Sequence, residues 1–376
     1  MRDTSAPLTL VEGHPLLRQL AEVRWALLLC AVALAAVGLA TVQSASSELA
    51  LDYFPRQLVW VVTGIGLLFL ALLFDYQKLS KFAALIYLLG LLSLVAVLLF
   101  GSVRGGAKSW FGIGSFGVQP SEFAKLTTAL FLARYLASTN RRYLQLREIV
   151  IACGIVGLPV GLVVLQRDLG SALMYMPMLA GMLFVAGVRW QFVVAALLLA
   201  LVVGAGLWNF AMYDYQKARV MTFLDPGSEP LGAGYQLRQS KIAVGSGQVS
   251  GRGYMQGTQS QLRFLPARHT DFVFAVLAEE WGFLGVIVVL MLYLTYIFNG
   301  ALIAARARDR TGILLVVGLL AGFAFHVAYN TAMVVGLLPI TGIPLPFLSY
   351  GGSFTLANFM TVGLILGVDL RRYVNR

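Results

Sequence analysis

The sequence predicts an all-α polytopic membrane protein with ten transmembrane helices, both termini cytoplasmic, and a long extracytoplasmic loop between helices 7 and 8. Three observations predict it. Of the 376 residues, 59% are hydrophobic and only 12% charged, whereas a soluble domain averages about 25% charged residues. Apolar runs near the ~20 residues needed to cross a bilayer recur along the whole chain. Basic residues collect in alternate connections between those runs, as the positive-inside rule requires.

Nine runs are clear: 25–43, 57–74, 82–100, 148–165, 170–187, 190–212, 272–302, 312–338 and 353–370. The first follows a mostly polar stretch without a small-residue cleavage pattern, so it reads as a retained helix and not a signal peptide. A tenth candidate, 121–137, is short and carries Glu122 and Lys125. Charge decides in its favour. With ten spans and a cytoplasmic N-terminus, the inner segments hold 16 of the 28 Lys and Arg residues, among them Arg134, Arg141, Arg142, Arg147, Arg306, Arg308 and Arg310. Without the tenth span, every later basic connection would flip outward. The chain then reads as one integral membrane domain over residues 1–376, with outer connections near 101–120 and 213–271. The second is far longer than the ~4–6 residues of an ordinary loop, and loops of that size are usually functional.

Composition also excludes some functions. Cys30 and Cys153 are isolated in apolar runs, and His14, His269 and His326 are scattered, so no zinc-type spacing exists. The formal net charge of +11 suits anionic lipid or a phosphorylated substrate. Nucleic acid fits poorly, because the basic residues are divided among hydrophobic spans. The glycine-rich "GSGQVSG" lacks the strand–turn–helix setting of a dinucleotide site.

Ionisable residues inside spans are costly, roughly 2.5–3.5 kcal/mol each, and so face a partner or a cavity. Glu122 and Lys125 are three apart, on one helical face, which suits a mutual salt bridge, a polar cavity wall, or both. Glu279 and Glu280 point about 100° apart and cannot share one pocket equally, so they read as polar anchors. His326 and Asn330, four apart, suit helix–helix hydrogen bonds. Asp271 has two readings. It is a good N-cap for a helix beginning at Phe272. It is also a carboxylate at the membrane boundary, beside Arg268 and His269, able to accept a proton from a hydroxyl or hold a divalent cation. The prolines of "LPITGIPLPFLSYGGS" prevent regular helix, and such backbone at membrane depth must be buried or line a cavity. That segment is expected to re-enter beside the site.

Several long motifs occur in order: "FGVQPSEFAKL" (116–126), "LQRDLGSAL" (165–173), "DYQKARVMTFLDP" (214–226), "GAGYQLRQSKIAVGSG" (232–247), "LPARHTDFVFAVLAEEWG" (265–282) and "GLLPITGIPLPFLSYGGS" (336–353). Together they closely resemble the shape, elongation, division and sporulation (SEDS) family of polytopic membrane proteins. Arg268 before "HTDF" and "GIPLPF" before "SYGGS" resemble its elongation branch more than its division branch. In three places the chain departs from the family pattern: Arg167 stands where the family has proline, Ala267 where it has an acid, and Lys108 and Ser109 where many relatives have a basic residue before Trp110.

The resemblance implies a peptidoglycan glycosyltransferase in the bacterial inner membrane, polymerising lipid II on the outer face during cell elongation and rod-shape maintenance. It implies a divalent cation (Mg2+ or Mn2+), a class B penicillin-binding protein as partner, and the elongation machinery. It places the essential aspartate at Asp271, which is also the tentative metal ligand. Gln119, Glu122 and Lys125 fall in the matching acid–lysine motif. Arg219, Lys125 and Arg268 are expected to meet the substrate's diphosphate, and His269 to orient Asp271. Lys108 and Ser349 complete the expected substrate contacts. A lipid II flippase is the alternative function, since ten helices around a basic cavity would serve transport too.

Overall fold

The computed structural model describes residues 23–47, 53–104, 106–112, 117–139, 141–196 and 232–372, with a few positions between 198 and 223. In chain order the elements are α1 (Trp25–Ser46), α2 (Phe54–Leu73), α3 (Tyr76–Lys81), α4 (Ala83–Phe100), β1 (Ser102–Arg104), β2 (Ala107–Trp110), α5 (Pro120–Ser138), α6 (Leu146–Leu165), α7 (Leu169–Leu173) and α8 (Tyr175–Ala186). They continue with α9 (Ala233–Ser246), α10 (Thr258–Gln261), α11 (Val273–Arg306), α12 (Arg310–Val334) and α13 (Gly352–Arg371).

Among the described residues, eight helical segments are long and apolar enough to cross a membrane: α1, α2, α4, α6, α7–α8, α11, α12 and α13. The doubtful segment forms a continuous 19-residue helix, α5, about 28 Å long at 1.5 Å per residue. The helix expected near 190–212 lies largely outside the described residues, as do the terminal segments. The all-α reading holds for the bundle, and the outer connection at 101–120 adds a short hairpin to it. β1 and β2 pair antiparallel there, because outside the bilayer a short connection can satisfy its backbone locally.

Helix starts follow capping chemistry. Pro120 opens α5, Gln145 and Glu148 form a capping box on α6, and Asp309 Oδ2 accepts from Gly312 N at 3.1 Å to start α12. The core is organised around α13, 83% of whose span is buried. It packs closely on α2, where a Cβ on Gly64 would strike the Phe359 ring and one on Gly363 the Leu68 carbonyl. Small residues at the contact let the backbones approach, as packing within lipid demands. The opposite surface of the bundle presents apolar side chains such as Leu85, Leu88, Leu89 and Leu92 on α4.

One end of the bundle is bracketed by arginines. Arg310 donates to Thr139 O at 2.6 Å and Ala186 O at 3.0 Å, at the ends of α5 and α8. Arg371 donates to Leu72 O and Leu73 O and pairs with Asp75 at 3.3 Å. Arg24 N donates to Asp369 Oδ2 at 2.9 Å. The beginning of α1 and the end of α13 therefore share one side of the bundle. It is the side to which the charge pattern assigns the cytoplasm.

The other end carries the loop. α11 breaks at Gly282 (φ 64°, ψ −165°), and the loop after α9 fills the break. Arg252 N donates to Glu279 O, Gly253 N to Glu280 O, Phe283 N to Gln248 O and Leu284 N to Val249 O, all at 2.9–3.1 Å. These bonds satisfy groups that a broken helix at membrane depth would otherwise leave orphaned. Glu279 and Glu280 behave as the expected polar anchors, each with its own partners. Glu279 accepts from Gln259 N at 2.8 Å and Ser260 N at 3.1 Å. Glu280 accepts from Ser44 on α1.

Candidate active site

At the loop end lies a cavity of about 1200 Å³. Several segments wall it. The start of α2 gives Tyr53, Arg56 and Trp60; the β-hairpin and the connection after it give Ser109, Trp110 and Gln119. The first turn of α5 gives Glu122, and the α6–α7 turn gives Arg167 and Asp168. His269, Thr270 and Asp271 face residues of the non-helical segment 335–351, as expected for a segment that re-enters beside the site.

Asp271 is held through its backbone. Its N–H donates to Ala267 O at 3.1 Å. Fully buried Asn330 on α12 donates to Asp271 O at 2.9 Å and to Ile343 O at 2.7 Å. His326, one turn earlier, lies 3.2 Å from Pro344 O through Nδ1. The expected helix–helix role of this pair is therefore corrected. Both side chains serve carbonyls of irregular backbone, the groups most in need of donors inside a membrane. The capping reading of Asp271 is corrected too. α11 begins at Val273, its N-cap is Phe272, and no side chain caps it. The Asp271 carboxylate instead lies over the Gly342 turn, where an added Cβ would sit 3.6 Å from Oδ2. Asn330→Ala is expected to leave two carbonyls without this donor, at about 1–3 kcal/mol each, and to lower both the melting temperature of detergent-purified protein and its activity.

His269 does not work as a titrating partner at neutral pH. Its ring stacks on Tyr53, with centroids 4.5 Å apart, and its carbonyl accepts from Tyr350 N at 2.9 Å. Burial, then the neighbouring Arg268 charge, push its pKa down to about 4. The imidazole is neutral and fixes the segment by packing.

The opposite wall is a polar cluster. Gln119 Nε2 donates to Asp168 Oδ2 at 2.8 Å, and Asp168 accepts from Ser171 N at 3.0 Å and Ser171 Oγ at 2.8 Å. Gln119 N donates to Ser353 Oγ at 2.8 Å, tying α5 to α13. Glu122 and Lys125 form the expected salt bridge, at 2.9 Å. Both readings of that pair hold. Glu122 reaches the cavity, while Lys125 lines a smaller pocket of about 60 Å³ beneath it, with His326 and Asn358.

Of the residues singled out in the sequence, Gln119, Glu122, His269 and Asp271 meet on the cavity wall. Others are placed elsewhere. Lys108 donates to Leu99 O at 3.0 Å and is not on the wall, while its neighbours Ala107 and Ser109 are. Strand alternation turns it away. Arg268 is 3% exposed and off the wall, buried beneath the loop. Ser349 is fully buried and donates to Thr270 O at 2.6 Å, stitching the two irregular segments together. Arg219 lies outside the described residues. Arg56 and Asp168 were missed. The available signal was position, since each stands at the outer end of an apolar run.

Among the described residues, no three His, Cys, Asp or Glu side chains converge on a metal position. Mg2+ commonly binds one or two carboxylates and completes its shell with water and substrate phosphates. An aspartate on the wall of a cavity this size fits that donor pattern.

A helical bundle with a large, acid-lined cavity at one end, built on irregular backbone, defines a polytopic membrane protein with an internal polar site. The sequence profile described as "Cell cycle protein", that of FtsW, RodA and SpoVE, matches residues 24–373, and the chain belongs to this family. It is 42% identical to peptidoglycan glycosyltransferase MrdB of Escherichia coli (strain K12) over 77% of this chain and 78% of the relative. It is 33% identical to peptidoglycan glycosyltransferase RodA of Treponema pallidum (strain Nichols) over 95% of this chain and 99% of the relative. Among solved structures it resembles Rod shape determining protein RodA of Thermus thermophilus, with TM-score 0.71 and 29% identity, covering 93% of this chain and 98% of that one. A chain in a structure described as "Structural coordination of polymerization and crosslinking by a peptidoglycan synthase complex" gives TM-score 0.81 and 32% identity, with the same coverage.

Proposed function

We propose that the protein is a peptidoglycan glycosyltransferase of the bacterial inner membrane, polymerising lipid II into glycan strands on the outer face during elongation. The observation that carries this reading is the position of Asp271, on the wall of a cavity at the bundle end opposite the arginine brackets. Relatives named peptidoglycan glycosyltransferase support it.

The reaction joins a sugar C4 hydroxyl to an anomeric carbon. The hydroxyl oxygen attacks, the bond from that carbon to the diphosphate oxygen breaks, and the diphosphate leaves with the electron pair. Asp271 accepts the hydroxyl proton, a role typically worth 10²–10⁴ in rate. Arg56, in the first turn of α2 and on the cavity wall, offsets charge on a phosphate group. The aromatic faces of Tyr53, Trp60 and Trp110 on the same wall offer apolar surface to sugar rings. A divalent cation, if bound, would be held by Asp271 and would supply positive charge to offset the charge developing on the diphosphate. Glu122, tied to Lys125, fixes the floor.

The arginine brackets favour polymerase over flippase, because at the inner side Arg310 ties α12 to the ends of α5 and α8, and Arg371 ties α13 to the end of α2. A class B penicillin-binding protein is proposed as partner. The similarity to a chain of a peptidoglycan synthase complex supports a crosslinking companion. Purified protein, with and without divalent cation and partner, is expected to convert labelled lipid II to polymer. Transport of lipid II in proteoliposomes with no polymer under any of these conditions would overturn the proposal in favour of the flippase.

A further inference from the structure

We infer that Arg167 is an anchor for the diphosphate of the lipid-linked substrate, a binding residue that this chain places in the α6–α7 turn. The inference rests on the glycosyltransferase reading of the cavity, and three observations carry it. Arg167 is exposed and on the cavity wall. Its backbone is in the left-handed region at φ 63°, which a non-glycine residue occupies at a cost that the surrounding structure must impose. The turn around it is fixed from several sides. Gln166 is 1% exposed and donates to Leu94 O at 3.0 Å, its carbonyl accepts from Lys108 N at 3.0 Å, and Arg167 N donates to Val164 O at 2.9 Å.

The neighbouring acid does not oppose an anion strongly. Asp168 accepts three hydrogen bonds, from Gln119 Nε2, Ser171 N and Ser171 Oγ, which spread its charge over donors. The same turn adjoins the proposed base. A Cβ on Gly170 would lie 2.9 Å from Thr341 O, and the next residue, Gly342, lies under Asp271 Oδ2. The diphosphate leaves the carbon that the activated hydroxyl attacks, so its anchor and the base must share one wall. A guanidinium suits that task, because its planar fork meets phosphate oxygens in pairs.

An anionic lipid headgroup offers related phosphate chemistry, so the test separates the two sources. Wild type, Arg167→Asn and Arg167→Lys are purified. Asparagine tolerates the left-handed conformation and removes the charge, and lysine keeps the charge without the fork. Binding of undecaprenyl diphosphate is measured in neutral-lipid nanodiscs, and of phosphatidylglycerol separately. Lipid II polymerisation gives KM and kcat. Arg167→Asn is expected to weaken undecaprenyl diphosphate binding and raise KM by about tenfold or more, the size of a lost charge-assisted hydrogen bond. Its kcat should fall much less, and its melting temperature should hold or rise as strain is relieved. Arg167→Lys should fall between. Unchanged diphosphate binding in Arg167→Asn, or a loss confined to phosphatidylglycerol, overturns the inference. If the wild type binds undecaprenyl diphosphate through Arg167 yet makes no polymer, the glycosyltransferase reading fails and the anchor stands.

Discussion

Asp271→Ala and Asp271→Asn proteins are expected to fold, extract and melt like the wild type while losing about 10²–10⁴ in lipid II polymerisation rate. The N-cap is Phe272, and the segment is held by backbone bonds from Asn330 and Ser349. These two bonds do not involve the Asp271 carboxylate. Asparagine keeps the shape and removes only the ability to take a proton. A folded Asp271→Asn enzyme working near the wild-type rate would remove Asp271 from the mechanism. Asn330→Ala provides the contrast, since it should lower stability and activity together.

Gly282→Ala is expected to cost stability on a scale that empties the membrane of folded protein. At φ 64° an L side chain pays about 1–2 kcal/mol. The added Cβ would also sit 2.2 Å from Gly251 N and 2.7 Å from Val249 O, and overpacking of this kind adds about 1–3 kcal/mol. The neighbour on the other side cannot retreat easily, because Gly251 has φ 81° and already abuts Glu280 O. Limited proteolysis should find cleavage between residues 247 and 257, and thermal melting should shift down. Gly157→Ala is the control, since nothing lies within 4 Å of its Cβ position. Equal behaviour of the two variants would show that the loop is not wedged into the α11 break.

Hydropathy located the apolar spans because lipid imposes a length and a polarity on each of them. It could not decide on α5, whose Glu122 and Lys125 mask its apolar character. The distribution of arginines across the connections decided it. The site was legible where its residues sit on motifs within helices or beside them, as Gln119, Glu122 and Asp271 do. It was illegible where direction depends on short irregular pieces. β2 has four residues, too few to show a period, so nothing in the sequence turned Lys108 away from the cavity. Arg268 looked like a ligand because it adjoins His269 and Asp271, yet the turn from Ala267 buries it. Arg56 and Asp168 were passed over because a charge at the end of a span looks like a flanking residue. Only the packing of α2 and α7 against the irregular segments shows that those ends converge.

The arginine brackets also set an order of assembly. Asp369 and Arg371 are made long after their partners, Arg24, Leu72, Leu73 and Asp75. The carbonyls that end α2 wait through the synthesis of some three hundred residues for the guanidinium that covers them. A chain halted one helical turn before Arg371 would already hold nearly every apolar segment described yet lack this closure. Insertion of α13 and sealing of this face of the bundle are thus one event, because the same residues that end the helix close the end of α2.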